Sequence, residues 1–201
     1  NLLSLGANVS VLSVVGDDEN GNELLSMLEA LGADAKGIVR QEGRKTSKKS
    51  RVIASHQQVV RFDSESKDDI TDASSKALLE ACEACMLDVD AILLSDYGKG
   101  VLTTAFTCKV IALAKKYQKL ILVDPKGDDY SKYAGATLIT PNKKEASIAT
   151  KIAIKDDESL QKADGSHRKI DTLFIHRNDR NAIQEAIGYL SAHPDEIRTF
   201  W

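Results

Sequence analysis

Leu120-Ile121-Leu122-Val123-Asp124-Pro125-Lys126-Gly127 and Thr137-Leu138-Ile139-Thr140-Pro141-Asn142-Lys143-Lys144-Glu145 are the two stretches whose reading decides the fold. Each opens as an apolar run of strand length and turns polar at an Asp-Pro or Thr-Pro step, where proline withdraws a ladder donor. In an open α/β sheet, ligands bind just beyond the carboxyl ends of the strands. Asp124, Lys126, Asn142 and Glu145 therefore stand where a ligand is expected. Thr140 is expected to cap a helix whose first residue is Pro141, which would turn free amides and the helix dipole toward an anion. Asn142 and Glu145 are three apart and share a helical face. A carboxylate there suits an ordered water on Mg²⁺, an ion that keeps much of its hydration shell. A plain turn carrying a solvated Lys126, and a capping arrangement with no ligand, are the alternatives.

Working outward, strands and helices alternate. Residues 9–15 read as a short apolar strand ending at Gly16-Asp17-Asp18, and residues 20–32 as an amphipathic helix with Leu24, Leu25, Leu28 and Leu31 on its apolar face. Two ribbon-like strands follow at 50–55 and 57–63, then a helix at 72–86, a buried strand at 91–94, a helix at 105–117 and strands at 120–123 and 137–139. Helices separating short β-rich runs predict an α/β fold with a largely parallel sheet covered on both faces. The first residues, Asn1-Leu2-Leu3-Ser4-Leu5-Gly6, read as the last turns of a helix closed by Gly6, as though its beginning were cut off.

Composition narrows the function classes. With 201 residues, 42% hydrophobic, the chain can bury one well-formed core, so a single main domain is expected. A net charge of −3 argues against general nucleic-acid binding, which needs clustered, uncompensated Lys and Arg. No apolar run reaches bilayer length and no secretory signal is visible, so no membrane partner is expected. Cys82, Cys85 and Cys108 are too few for a disulfide framework, which points to a reducing, cytoplasmic compartment. Cys82-x-x-Cys85 lies inside a helix with no second pair, so it reads as a helical face rather than a zinc or redox site. Neither Gly-x-Gly-x-x-Gly nor Gly-x-Ser-x-Gly occurs, which removes the fingerprints of dinucleotide oxidoreductases and serine hydrolases.

The ribbon is basic, with Arg44, Lys45, Lys48, Lys49 and Arg51 leading into Gln57, Gln58 and Arg61. One reading is a solvated charged face. The other is a lid in which Lys49 and Arg51, two apart on a strand, converge on one anion and Arg61 joins from the paired strand. The ribbon carries no run of aromatic stacking residues, Phe62 standing alone, so a phosphorylated metabolite is the more economical partner. Ser95-Asp96-Tyr97-Gly98-Lys99-Gly100 likewise admits two readings. Its glycines can supply unusual backbone angles while Asp96 caps local amides, or Asp96 can accept bonds from a substrate and Lys99 attract its phosphate.

These residues together resemble the ribokinase-like, or pfkB, carbohydrate kinases. The resemblance rests on Gly6, Gly16 to Gly21, the lid Arg51 to Asp63 with its Gln57-Gln58 pair, Ser95 to Gly100, Asp124 to Gly127 and Thr140-Pro141-Asn142-x-x-Glu145, over residues 1 to about 163. Within the family, the Gln-Gln lid, Ser-Asp-Tyr, Asp-Pro-Lys-Gly and Gly135-Ala136-Thr137-Leu138 are similar to the kinases acting on D-glycero-β-D-manno-heptose 7-phosphate. The resemblance implies a three-layer sandwich with a mostly parallel sheet and a small antiparallel β lid at about 44–64, often paired across a homodimer. It implies transfer of a phosphoryl group from ATP, with Mg²⁺, to the anomeric hydroxyl of the sugar phosphate, toward ADP-heptose and lipopolysaccharide core. By the same resemblance Lys49, Arg51, Gln58 and Arg61 face the sugar phosphate, and Asp96, Lys99, Asp124 and Lys126 line the sugar site. Asn142 and Glu145 serve ATP, with Glu145 reaching Mg²⁺ through water.

The family's catalytic Asp belongs to a Gly-Ala-Gly-Asp motif, whereas the only Gly-x-Gly here is Gly98-Lys99-Gly100, followed by Val101. The catalytic base is thus unassigned, and a kinase-like binding fragment without that base is the alternative. The domain is expected to be incomplete at its N-terminus and in its nucleotide-binding half, with residues 164–201 a tail of unassigned origin. In that tail, 170–176 reads as a strand and 181–192 as a helix, and His167, His176, His193 and Asp179 are spaced as surface residues.

Overall fold

The computed structural model describes residues 2–54, 57–166 and 173–174. The chain divides into two compact units, one holding Asn1–Cys85 with Lys99–Thr103, the other Met86–Gly98 with Thr104–Trp201.

The first unit opens with a 3-10 turn at Leu3–Leu5 that Gly6 closes in the left-handed region, as the sequence predicts. Strand β1 (Ser10–Gly16), helix α1 (Glu19–Ala30) and strand β2 (Asp34–Gln41) form a βαβ unit whose strands pair in parallel. The apolar pattern predicts no strand at β2, because Asp34, Lys36, Gly37 and Arg40 interrupt it. Its Ala35 is nonetheless buried, and pairing with β1 supplies the ladder that propensity alone does not. Helix α1 is shallower than expected, with Leu31 66% exposed and Leu24 also exposed, while Gly21 is its buried residue. The Asp18 carboxylate caps α1 by accepting from the Gly21 amide at 2.8 Å and accepts from the Thr46 amide at 2.9 Å. The Thr46 bond is the main reason its carboxyl is held below the usual range. Thr46 in turn accepts from the Gly16 amide at 2.9 Å, so the Gly16-to-Gly21 turn is tied to the start of the ribbon.

That ribbon, β3 (Lys48–Ala54) and β4 (Gln57–Ser64), is an antiparallel pair. After it, helix α2 (Asp72–Cys85) lies against β1 and β2, burying Leu78 and Cys82. Burial pushes the Cys82 thiol up to about 11, as befits an inert core cysteine.

A second polar node fastens residues 99–103 to this unit. Arg44, 8% exposed, donates to the carbonyl oxygens of Asp68 and Lys99, and the Ile70 amide donates to the Gly100 carbonyl. Lys99 itself is ion-paired with Glu65, whose carboxyl that bond holds below the usual range. Gly100 has φ +73°, and a Cβ there would overlap the Asp68 carbonyl oxygen.

The second unit carries a four-stranded, all-parallel sheet in the order β5-β6-β7-β8, from β5 (Ala91–Ser95), β6 (Leu120–Asp124), β7 (Leu138–Ile139) and β8 (Leu173–Phe174). Helix α3 (Thr104–Lys116) crosses from β5 to β6 and buries Phe106, Val110, Ile111 and Ala114 at helical spacing. Ile121 and Val123 alternate inward on β6, and Leu138 and Ile139 are both buried on β7, the mark of a strand covered on two faces. Helices α4 (Lys143–Thr150) and α5 (Asp157–Ser166) follow, sharing a small cluster of Ala146, Ile154 and Ala163. The predicted tail helix at 181–192 and the tail residues His167, His176, Asp179 and His193 lie outside the described residues.

Gly43 shares the φ of +73° but has open space where a Cβ would project. Gly100→Ala is therefore expected to destabilise by at least ~2 kcal/mol, and by clearly more than Gly43→Ala, in urea unfolding. Equal losses at the two positions would refute the overlap with Asp68.

Candidate functional site

The ribbon's register explains which side chains it presents together. Lys49 faces Asp63, Arg51 faces Arg61 and Val52 faces Val60, but the register then shifts so that Ile53 faces Gln58. Val59 is the extra residue of a β-bulge. Strict alternation would place Gln57 with Arg61; the bulge instead moves Gln58 onto the face of Lys49, Arg51 and Arg61. Two guanidinium groups directly opposite each other repel, and Asp63 relieves this by a bidentate pair with Arg61 at 2.9 and 2.6 Å. That pair holds the Asp63 carboxyl below its usual range. The face carries an excess of positive charge, fit for a phosphate. The opposite face carries Val52, Val60 and Phe62, all exposed.

At the strand ends of the second unit, the residues that the sequence singles out take up distinct duties. Ser95 and Asp124 are register partners at the ends of β5 and β6, and the Asp96 amide donates to the Asp124 carbonyl at 2.9 Å. The Asp96 side chain, 3% exposed, accepts from the Gly98 amide at 2.7 Å, from Lys132 Nζ at 2.6 Å and from the Tyr133 hydroxyl at 2.7 Å. The bond from the Gly98 amide is the local capping that one of the two readings of this motif expects. Lys132 and Tyr133 escaped the sequence reading. The available signal was Tyr130-x-x-Tyr133, two aromatics in a chain with only 5% of them, in a segment otherwise read as loop.

Lys126 and Glu145, from different motifs, meet. Lys126 Nζ lies 3.2 Å from Glu145 Oε1, and Glu145 is 13% exposed while Lys126 is 53% exposed. The expected cap at Thr140 is replaced by one at Asn142. The Thr140 amide and hydroxyl both donate to the Val123 carbonyl, at 2.8 and 3.3 Å, so its side chain is turned to β6 rather than to a helix amide. Asn142 Oδ1 accepts from the Glu145 amide at 3.0 Å and Glu145 Oε2 accepts from the Asn142 amide at 2.9 Å, a capping box that starts α4 two residues after Pro141. Glu145 thus spends one oxygen on the helix and offers the other to a cation.

For Mg²⁺, the described residues hold no cluster of three His, Cys, Asp or Glu side chains that could cage an ion. Glu145 Oε1, which meets Lys126 rather than the helix, fits a hydrated ion whose other ligands are waters and phosphates.

The family model for pfkB carbohydrate kinases matches residues 1–183. The chain belongs to the pfkB family of carbohydrate kinases. Among curated relatives it is 55% identical over 163 residues to bifunctional protein HldE of Sulfurimonas denitrificans and 53% identical over 163 residues to that of Wolinella succinogenes, covering 81% of this chain in each case. It is 47% identical over 182 residues to bifunctional protein HldE of Citrifermentans bemidjiense. The chain spans about a third of the length of these curated relatives, 34%, 34% and 37% respectively. Among solved structures, Arabidopsis thaliana ribokinase complexed with ribose and ATP superposes with a TM-score of 0.65 at 14% identity, covering 86% of this chain and 56% of that one. Escherichia coli phosphofructokinase-2 gives 0.64 at 18% identity, covering 85% and 55%. At such identities the likeness shows the fold alone, which is ribokinase-like α/β.

Asn142→Ala removes one half of the capping box and leaves the Glu145 amide without its acceptor. A loss of ~1 kcal/mol in urea unfolding is expected, with Asn142→Asp close to wild type. Indistinguishable midpoints for Asn142→Ala and wild type would rule out the box.

Proposed function

We propose that this chain belongs to an ATP-dependent kinase that phosphorylates D-glycero-D-manno-heptose 7-phosphate at its anomeric hydroxyl. The observation that carries the reading is the Lys126–Glu145 contact beyond adjacent parallel strands, joining the motif assigned to the sugar with the motif assigned to Mg·ATP. Lys143 and Lys144 add support. They occupy the first turn of α4, where cations oppose the helix dipole and are tolerated best beside an anion. Relatives about half identical in sequence bear the name bifunctional protein HldE, which agrees with a role in heptose metabolism.

Mg·ATP, when bound, supplies the phosphoryl group. The attacking hydroxyl oxygen bonds to the γ-phosphorus as the bond to the bridging oxygen breaks, and the hydroxyl proton passes to a base to which no residue here is assigned. Lys126 places a positive charge where negative charge gathers on the transferring group, and Glu145, with Asn142, would hold a hydrated Mg²⁺ that neutralises the phosphates. On the ribbon, Lys49, Arg51, Gln58 and Arg61 hold the substrate's existing phosphate. Asp124, at the carboxyl end of β6, completes the assignment to the sugar. Three free cysteines agree with a cytoplasmic setting. The exposed Val52, Val60 and Phe62 face is read as the surface on which a second copy pairs.

In the full-length protein, ADP release in the presence of the heptose phosphate is expected, and Lys126→Ala or Glu145→Ala should lower kcat/KM by about a hundredfold. Folded wild-type protein without turnover would sink the reading. For pairing, Phe62→Glu should convert a dimer to monomer in sedimentation equilibrium; a monomeric wild type, or a Phe62→Glu variant that remains dimeric, removes that proposal.

A further inference from the structure

We propose that Tyr133, braced by the buried carboxylate of Asp96, is the residue that fixes the backbone of Lys126 for phosphoryl transfer. The inference rests on the kinase reading for its functional half and on geometry for its structural half. Lys126 lies past the end of β6, after Pro125, where the sheet no longer supplies an acceptor for its amide. Tyr133 supplies one, since its hydroxyl oxygen accepts from the Lys126 amide at 3.1 Å. The hydroxyl proton is directed to Asp96 Oδ2 at 2.7 Å, in preference to the Lys126 carbonyl at 3.3 Å. One buried oxygen therefore joins the turn after β6 to the loop after β5, because Asp96 also holds the Gly98 amide.

The arrangement is rigid for identifiable reasons. Tyr133 is fully buried and sits in a 3-10 turn at Ser131–Tyr133, its ring edge-on to Tyr130 at 5.8 Å. Burial, reinforced by the bond to Asp96, raises the phenol pKa far above its usual value, so the group stays an O–H donor throughout the physiological range. Lys132 neutralises the Asp96 carboxylate from 2.6 Å and lies 5.0 Å from the Tyr133 ring centroid. The Lys126 ammonium, by contrast, is half exposed and held by Glu145 alone among its described ion pairs. Its placement depends on the backbone from which it extends, and Tyr133 sets that backbone. Tyr133 is thus a positioning residue that acts through Lys126.

Tyr133→Phe removes one oxygen and keeps the packed ring. Hydrogen exchange of the Lys126 amide is expected to quicken at least about tenfold, the equivalent of one lost buried hydrogen bond, while amides of Ile121 and Val123 keep their wild-type rates. In the full-length enzyme, kcat/KM should fall about tenfold where Lys126 is intact and less than about twofold in a Lys126→Ala background, since the hydroxyl then has nothing left to position. An unchanged Lys126 exchange rate overturns the proposal, as does an equal kinetic loss in the two backgrounds, which would mark a purely structural role. Were the wild-type protein inactive on the heptose phosphate, the kinase reading would fall, and the exchange measurement would still decide whether Tyr133 holds Lys126.

Discussion

A carboxylate with 3% of its side chain exposed must be repaid in hydrogen bonds and countercharge, and Asp96 is the point at which the second unit meets that demand. Lys132 supplies the charge and Tyr133 a donor, both from the 3-10 turn Ser131–Tyr133, while the Gly98 amide donates from the loop after β5. Satisfying one anion therefore fixes the loop after β5, the turn after β6 and the 3-10 turn that leads toward β7. The ends of the adjacent parallel strands β5 and β6 are organised from the inside, and Lys126, which meets Glu145, is presented on that frame.

The first unit uses the same principle with the opposite sign. Arg44 is a nearly buried cation answered by carbonyl oxygens of Asp68 and Lys99, and Glu65 answers Lys99. Asp18 does similar work at the same base of the ribbon, joining the cap of α1 to Thr46. Charged side chains that look like ligand contacts in a one-dimensional reading are partly consumed by these nodes. What remains for a ligand on this unit is the ribbon face, where Arg51 and Arg61 stand opposite each other with Asp63 balancing only part of their charge.

Much of this was legible beforehand. Helices α2 and α3 and strands β5, β6 and β7 carry apolar patterns strong enough to place them within a residue or two, and the proline steps after Asp124 and Thr140 marked the ligand-bearing ends. Strand β2 was not legible, because Asp34, Lys36, Gly37 and Arg40 obscure its period and only its parallel partner makes it a strand. The cap at Asn142 was missed for a comparable reason: Thr140 and Pro141 have the right identities, but the bond from Thr140 to Val123 keeps that residue in the sheet.

By itself the sequence determined the α/β class, the order of the motifs and the resemblance to pfkB carbohydrate kinases, since these depend on local periodicity, proline placement and residue identity. The tertiary structure decided which polar side chains are spent on the scaffold and which are left for chemistry. Asp96 turned inward, Lys126 came to Glu145, and a one-residue bulge at Val59 carried Gln58 to the basic face. Those outcomes follow from burial and register, which depend on residues far apart in the chain and so cannot be read from any one stretch of it.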